Sequence, residues 1–197
     1  AKNGDRVSPT SEDTNGNYFS ADANGNVIDT LGRVPVAKST NGNLIYYNAL
    51  NSQGTASQYT ITTETINVST SFGQTGVAEY SGSLTVVQSI SLPDGSSYGF
   101  TYDSGTAPGN YGLISSVTLR TGGQITYTYV NFLDSYGNIN RWVDTRTSAG
   151  GTWTYAPAII SNCSPGTVGC QQSVTVTKPS GDQEVYTFVL DNGAWNT

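Results

Sequence analysis

Oxygen-bearing side chains recur at two-residue steps near the start of the chain. In DTNGNYFSADANGNVID, residues 13 to 29, the residues Asp13, Asn15, Asn17, Asp22, Asn24, Asn26 and Asp29 offer carboxylate and amide oxygens. Hard cations such as calcium take ligands of this kind. A helix-loop-helix calcium loop, however, wants glycine at its sixth position and a carboxylate at its twelfth. Counted from Asp22, Gly25 is fourth and Asp29 eighth. Two readings stand: a calcium site on Asp22, Asn24, Asn26 and Asp29, or Asn-Gly turns whose side chains bond their own backbone.

Two further groups carry chemistry by type. A glycosidase needs only a pair of carboxylates, which Glu64, Glu79, Glu184 and the aspartates can supply. Acidic residues at strand ends are more commonly solvated, and no separation is readable from sequence. Cys163 and Cys170 lie in NCSPGTVGC, where Pro165, Gly166 and Gly169 can fold the segment back so that the sulfurs meet. One local disulfide is expected, closing a short loop worth roughly 2–3 kcal/mol and implying an oxidising, extracytoplasmic location. The other readings are free thiols or half a metal site, although the chain holds neither a second cysteine pair nor a histidine to complete a zinc shell.

The absence of histidine removes the imidazole general base, and with it every Ser-His-Asp or Cys-His arrangement. No phosphate-cradling GxxxxGK[ST] loop occurs. With 8 basic against 14 acidic residues the net charge is -6, too few cations for phosphate-driven binding of nucleic acid or for anionic membranes. No stretch reaches the roughly 18 apolar residues of a membrane helix, and no membrane insertion is expected. The polar start, AKNGDRVSPTSEDTNGN, reads as a mature or excised chain rather than a secretion signal.

The elements that would position these groups are strands. Only 11% of residues are charged, while Gly numbers 23 and Tyr 13, a composition of short strands joined by tight turns. Tight turns end on glycines 95, 123, 151 and 181, which are 28, 28 and 30 residues apart. Between them lie looser corners at 103–112, 134–138 and 162–170, so each period holds two strands and two reversals. The repeating unit is a β-hairpin, and 84–197 reads as a run of such units.

Strands leaving the tight turns carry aromatics two apart: Tyr98, Phe100 and Tyr102; Tyr127 and Tyr129; Trp153 and Tyr155; Tyr186 and Phe188. Period two places each set on one face, expected to be the buried one. Strands entering the turns are expected at 84–92, 113–120, 139–147 and 174–178. Residues 1–83 read as a less regular β segment with NGN turns at 15–17, 24–26 and 41–43. Its strands are expected at 44–50, 58–70 and 77–84. One continuous unit is expected, with its protease-accessible weak point in the corner at 103–112.

Four phrases, DANGNVIDTLGRVPV (22–36), LPDGSSYGFTYD (92–103), YGLISSVTLRTGGQITYTY (111–129) and VTKPSGDQEVYTFVLDNG (176–193), resemble RHS or YD-repeat proteins, large surface or secreted chains of bacteria. The likeness touches most of residues 13–195. The tyrosine-aspartate pair itself is clear at Tyr102-Asp103. What the resemblance implies is an all-β, antiparallel hairpin-repeat meander, as a strip, sheet or partial shell. In full-length relatives such strips spiral into a hollow wall around a C-terminal effector segment. Those relatives also carry an aspartyl self-cleavage segment; nothing here matches it, so no cleavage is carried over.

The expectation is therefore a non-enzymatic, extracellular or cell-surface bacterial segment with no cofactor beyond the calcium reading. It would enclose, space or display a partner, that partner being the rest of a longer chain or other copies of itself. Two alternatives remain: a fibre subunit joined through open strand edges, and a carbohydrate-binding module stacking glycan on Trp142, Trp153 or Trp195.

Overall fold

A computed structural model describes residues 10–134, 137, 139–161, 169–191 and 194–196 of the 197-residue chain. Among these the chain is all-β. Fifteen strands follow one another as an antiparallel meander, with each strand's neighbours in the sheet being its neighbours in sequence. The described residues fall into two compact units, residues 10–64 with 85–98 and residues 65–84 with 99–196.

The first unit contains β1 (Thr10–Glu12), β2 (Tyr18–Ala21), β3 (Val27–Asp29), β4 (Val36–Asn41) and β5 (Leu44–Leu50), with most of β6 (Ala56–Ser69) and β7 (Ser81–Ser91). The expected strand at 44–50 matches β5. Asn41 pairs directly with Leu44, which leaves Gly42 and Asn43 as a two-residue hairpin loop.

The other NGN segments fold differently, and their geometry is the commonest corner of the molecule. In seven corners a residue i accepts, at its carbonyl, the amide of a glycine at i+3, while its own amide donates to the carbonyl at i+4. These begin at Asp13, Asp22, Asp29, Asn51, Leu92, Leu119 and Lys178. Each glycine has φ between 73° and 89°. This is a type I turn followed by a left-handed residue, a three-residue hairpin loop that a β-carbon would strain. Pro93 and Pro179 stand second in their turns, where a fixed φ suits type I. In the corner at 119–123 the left-handed residue is Gly122, so the beat set by Gly123 in sequence is carried one residue earlier.

The second unit holds the remaining hairpins: β8 (Ser97–Tyr102, mostly here), β9 (Ile114–Thr118), β10 (Gln124–Leu133), β11 (Ile139–Ser148), β12 (Gly151–Ile159), β13 (Gln171–Thr177), β14 (Gln183–Asp191) and β15 (Ala194–Asn196). Their register sets aromatics opposite β-branched residues: Phe100 against Val117, Tyr129 against Val143, Tyr155 against Val176 and Tyr186 against Val174. Such pairs contribute roughly 0.2–1 kcal/mol each. On the opposite face threonine and serine hydroxyls bond across strands, Thr128 to Thr145 at 2.7 Å and Thr147 to Thr152 at 2.9 Å.

Three expectations need correction. The aromatic stripe is half-buried rather than buried, and Tyr186 is exposed. Only Ile66, Val68, Cys170 and Val174 are buried hydrophobics among the described residues, because the rings meet the side chains beside them in the sheet. Residues 77–80 are not strand, and β7 begins at Ser81. There the Glu79 carboxylate takes over from a ladder, accepting from the Thr70 hydroxyl at 2.6 Å and the Gly73 amide at 2.9 Å. The Tyr80 amide closes the excursion on Thr70 Oγ1 at 2.8 Å.

The corner at 103–112, finally, is tied down rather than loose. The Asp103 carboxylate accepts from the Leu113 amide at 2.6 Å and the Tyr111 amide at 3.2 Å. The Gly109 and Asn110 amides donate to the Ser69 carbonyl, and the Gly105 amide to that of Asn67. The aspartate of the Tyr102-Asp103 phrase thus acts as the clamp of its corner.

Candidate functional site

The oxygen-rich N-terminal stretch resolves into three consecutive corners, each organised by the side chain of its first residue. Asp22 Oδ1 accepts from the Asn24 and Asn26 amides at 2.8 and 2.9 Å, and Oδ2 accepts from the Asn26 side-chain amide at 2.8 Å. Asp13 repeats this pattern with Asn15 and Asn17. Asp29 does so with Leu31 and Arg33, whose guanidinium lies 2.6 Å from Oδ2. Asn26 Oδ1 in turn accepts from the Lys38 amide. Of the calcium candidates, Asp22, Asn26 and Asp29 therefore spend side-chain oxygens on turn donors. Asn24 contributes its backbone amide to the same turn. No group of three or more acidic or thiol side chains able to hold a metal occurs among the described residues.

Those hydrogen bonds hold the carboxyls of Asp13, Asp22 and Asp29 below the usual range, the largest cause being the side-chain bond from Asn17, Asn26 and Arg33 respectively. Thr70 does the same to Glu79, and Lys178 to Glu184. Each group stabilises the fold above the unfolded carboxylate pKa of about 4, and that contribution disappears as pH falls through the lower folded value. The melting temperature is thus expected to hold level from neutral pH to about 5 and to drop below about 4, with a shallower drop in Asp22→Asn. Circular dichroism melts across that range are the check. A flat profile down to pH 3 would remove the carboxylates as corner clamps.

The same shifts bear on catalysis. A general acid working near neutrality needs a carboxyl pushed upward, whereas those of Asp13, Asp22, Asp29, Glu79 and Glu184 are lowered. Glu79 is held inside the 70–80 excursion, and Glu184 is paired with Lys178 and accepts from the Tyr186 hydroxyl at 2.9 Å. Two arginines also meet aromatic rings. Arg141 lies 4.5 Å from the Tyr111 ring and 6.0 Å from that of Tyr129, and Arg146 lies 5.0 Å from that of Trp153. The Tyr129 hydroxyl donates to the Ile114 carbonyl at 2.7 Å, and burial pushes its pKa up.

Of the candidate tryptophans, the Trp195 side chain lies outside the described ones, and the other two separate clearly. Trp153 has Arg146 over its ring, whereas Trp142 meets Phe132 at 6.0 Å and 65° beside a small open pocket. Cys170 is buried, and no free cysteine occurs among the described residues; Cys163 lies outside them. Sequence reasoning missed the shared corner, although an Asx residue three before a glycine marks four of its seven examples. It also missed Gln172, which no local signal distinguishes. Comparison with protein-family models and with curated proteins finds no match for this chain.

Proposed function

We propose that the chain is a non-enzymatic structural segment, a β-hairpin strip of the RHS or YD-repeat kind, whose role outside the cell is to enclose, space or display a partner. The observation that carries this reading is the recurrence of one corner along an antiparallel meander whose oxygen-bearing groups are spent on the corners themselves. A wall needs repetition and self-satisfied turns; an active site needs groups held ready for something else. In such a wall the partner is the remainder of a longer chain.

Negative-stain electron microscopy of the purified chain tests the reading, with dispersed particles expected. Filaments would replace it with the fibre alternative. That alternative draws on β1 and β15, each hydrogen-bonded on one side only in the described sheet. Turnover of a glycoside or peptide substrate that Glu79→Gln or Glu184→Gln abolishes would overturn both.

The extracellular placement rests on pairing Cys163 with Cys170. Titration of the unfolded, unreduced chain with a thiol reagent is expected to find no free thiol. Reduction should lower stability by roughly 2–3 kcal/mol. Two reactive thiols would remove the argument for an oxidising compartment.

A further inference from the structure

Within the second unit, Phe132, Asp134, Asn140, Trp142 and Gln172 line a pocket of about 110 Å³. Gln172 is 6% exposed, and its Oε1 is buried with no hydrogen-bond partner. A buried acceptor left unsatisfied costs stability, and such groups ordinarily find a partner in protein, water or ligand. Phe132 and Trp142 meet at a steep angle and form an apolar corner beside it. The Asn140 side-chain amide donates to Asp134 Oδ2 at 3.2 Å, so donor and acceptor chemistry stand together at the same pocket.

We infer that this pocket binds one ring of a saccharide, with a hydroxyl donating to Gln172 Oε1 and the ring's C–H face against Trp142. Three features select this class. An apolar ligand would leave Gln172 unpaired. An ammonium group donates but cannot accept, whereas a hydroxyl does both and can join the Asp134–Asn140 pair without breaking it. The volume is well below the 300 Å³ or so of a pocket that encloses a whole drug-sized ligand; it takes the edge of a ring whose neighbours stay in water. Of the tryptophans that could serve as a platform, Trp153 has Arg146 over its ring, and Trp142 lines this pocket. This assignment does not depend on the wall or fibre reading.

The test is saturation-transfer NMR on the full 197-residue chain, with methyl glycosides of common hexoses, N-acetylglucosamine, arginine and methylammonium as probes. At least one saccharide is expected to receive magnetisation and to shift the Gln172 side-chain amide resonance, a readout that needs no variant. Gln172→Leu, which removes the unpaired acceptor at similar volume, should bind about tenfold more weakly, the loss of about one good hydrogen bond. Trp153→Phe should bind as the parent does. Silence from every saccharide would mean a pocket of ordered water only. That outcome, transfer to the cations alone, or undiminished binding by Gln172→Leu would each overturn the assignment.

Discussion

Gly151→Ala is expected to be among the most damaging single-methyl changes in this chain, lowering stability by about 3 kcal/mol. Gly151 has φ 108°, in the region where a β-carbon is strained, and an L side chain placed there costs roughly 1–2 kcal/mol. The added carbon would also stand 2.6 Å from Pro179 Cβ and 3.0 Å from its Cγ. A proline ring in a tight turn cannot swing aside, and overpacking of this kind costs roughly 1–3 kcal/mol. Gly95→Ala separates the two causes: φ is 84°, yet nothing lies within 4 Å of the new carbon. It should cost only the backbone share. Denaturant midpoints for the two variants are the check. Equal losses would mean that the corners at 148–151 and 178–182 do not touch, and the stacking of successive hairpins would need redrawing.

Ile66→Ala should cost about 2–5 kcal/mol, the range for truncating a large aliphatic side chain in a core. Ile66 and Val68 point inward from the end of β6 while Thr65 and Asn67 point out. Gly112 allows this packing: a β-carbon there would lie 2.9 Å from Val68 Cγ2 and 3.6 Å from Ile66 Cδ1. Few of the described side chains are so buried, so each matters more. Val185→Ala, on a side chain 64% exposed, should change stability by under about 0.5 kcal/mol. Comparable losses at the two positions would show that burial is not concentrated where β6 meets the 103–112 corner.

These two sites also show what could be read from residues alone. The strands were legible because alternation and glycine placement are local: the phrase LIYYNAL became β5 without adjustment, and INRWVDTRT became β11 to within one residue. The role of Asp13, Asp22 and Asp29 was half legible. Asn-Gly and Asx chemistry pointed to turns, but the unit is the Asx residue with the glycine three places on, not the Asn-Gly pair. The core was not legible, because Ile66 and Val68 look like every other alternating pair, and their burial follows from Gly112 more than forty residues later. The excursion at 71–80 was hidden for a similar reason. VAEYSGSL has strand composition, but its first four residues lie in an excursion closed by Glu79 on Thr70 and Gly73 and by Tyr80 on Thr70. Gln172 alternates properly in β13, and the pocket it faces is built by β10 and β11.

The wall reading stands on ring-to-branched-chain pairing between successive passes of the chain. Assigned NOESY spectra of the purified protein test this most directly. Cross-peaks are expected from the rings of Phe100, Tyr129, Tyr155 and Tyr186 to the methyls of Val117, Val143, Val176 and Val174 respectively. Rings that see other methyls, or none, would contradict the register and with it the repeating ribbon.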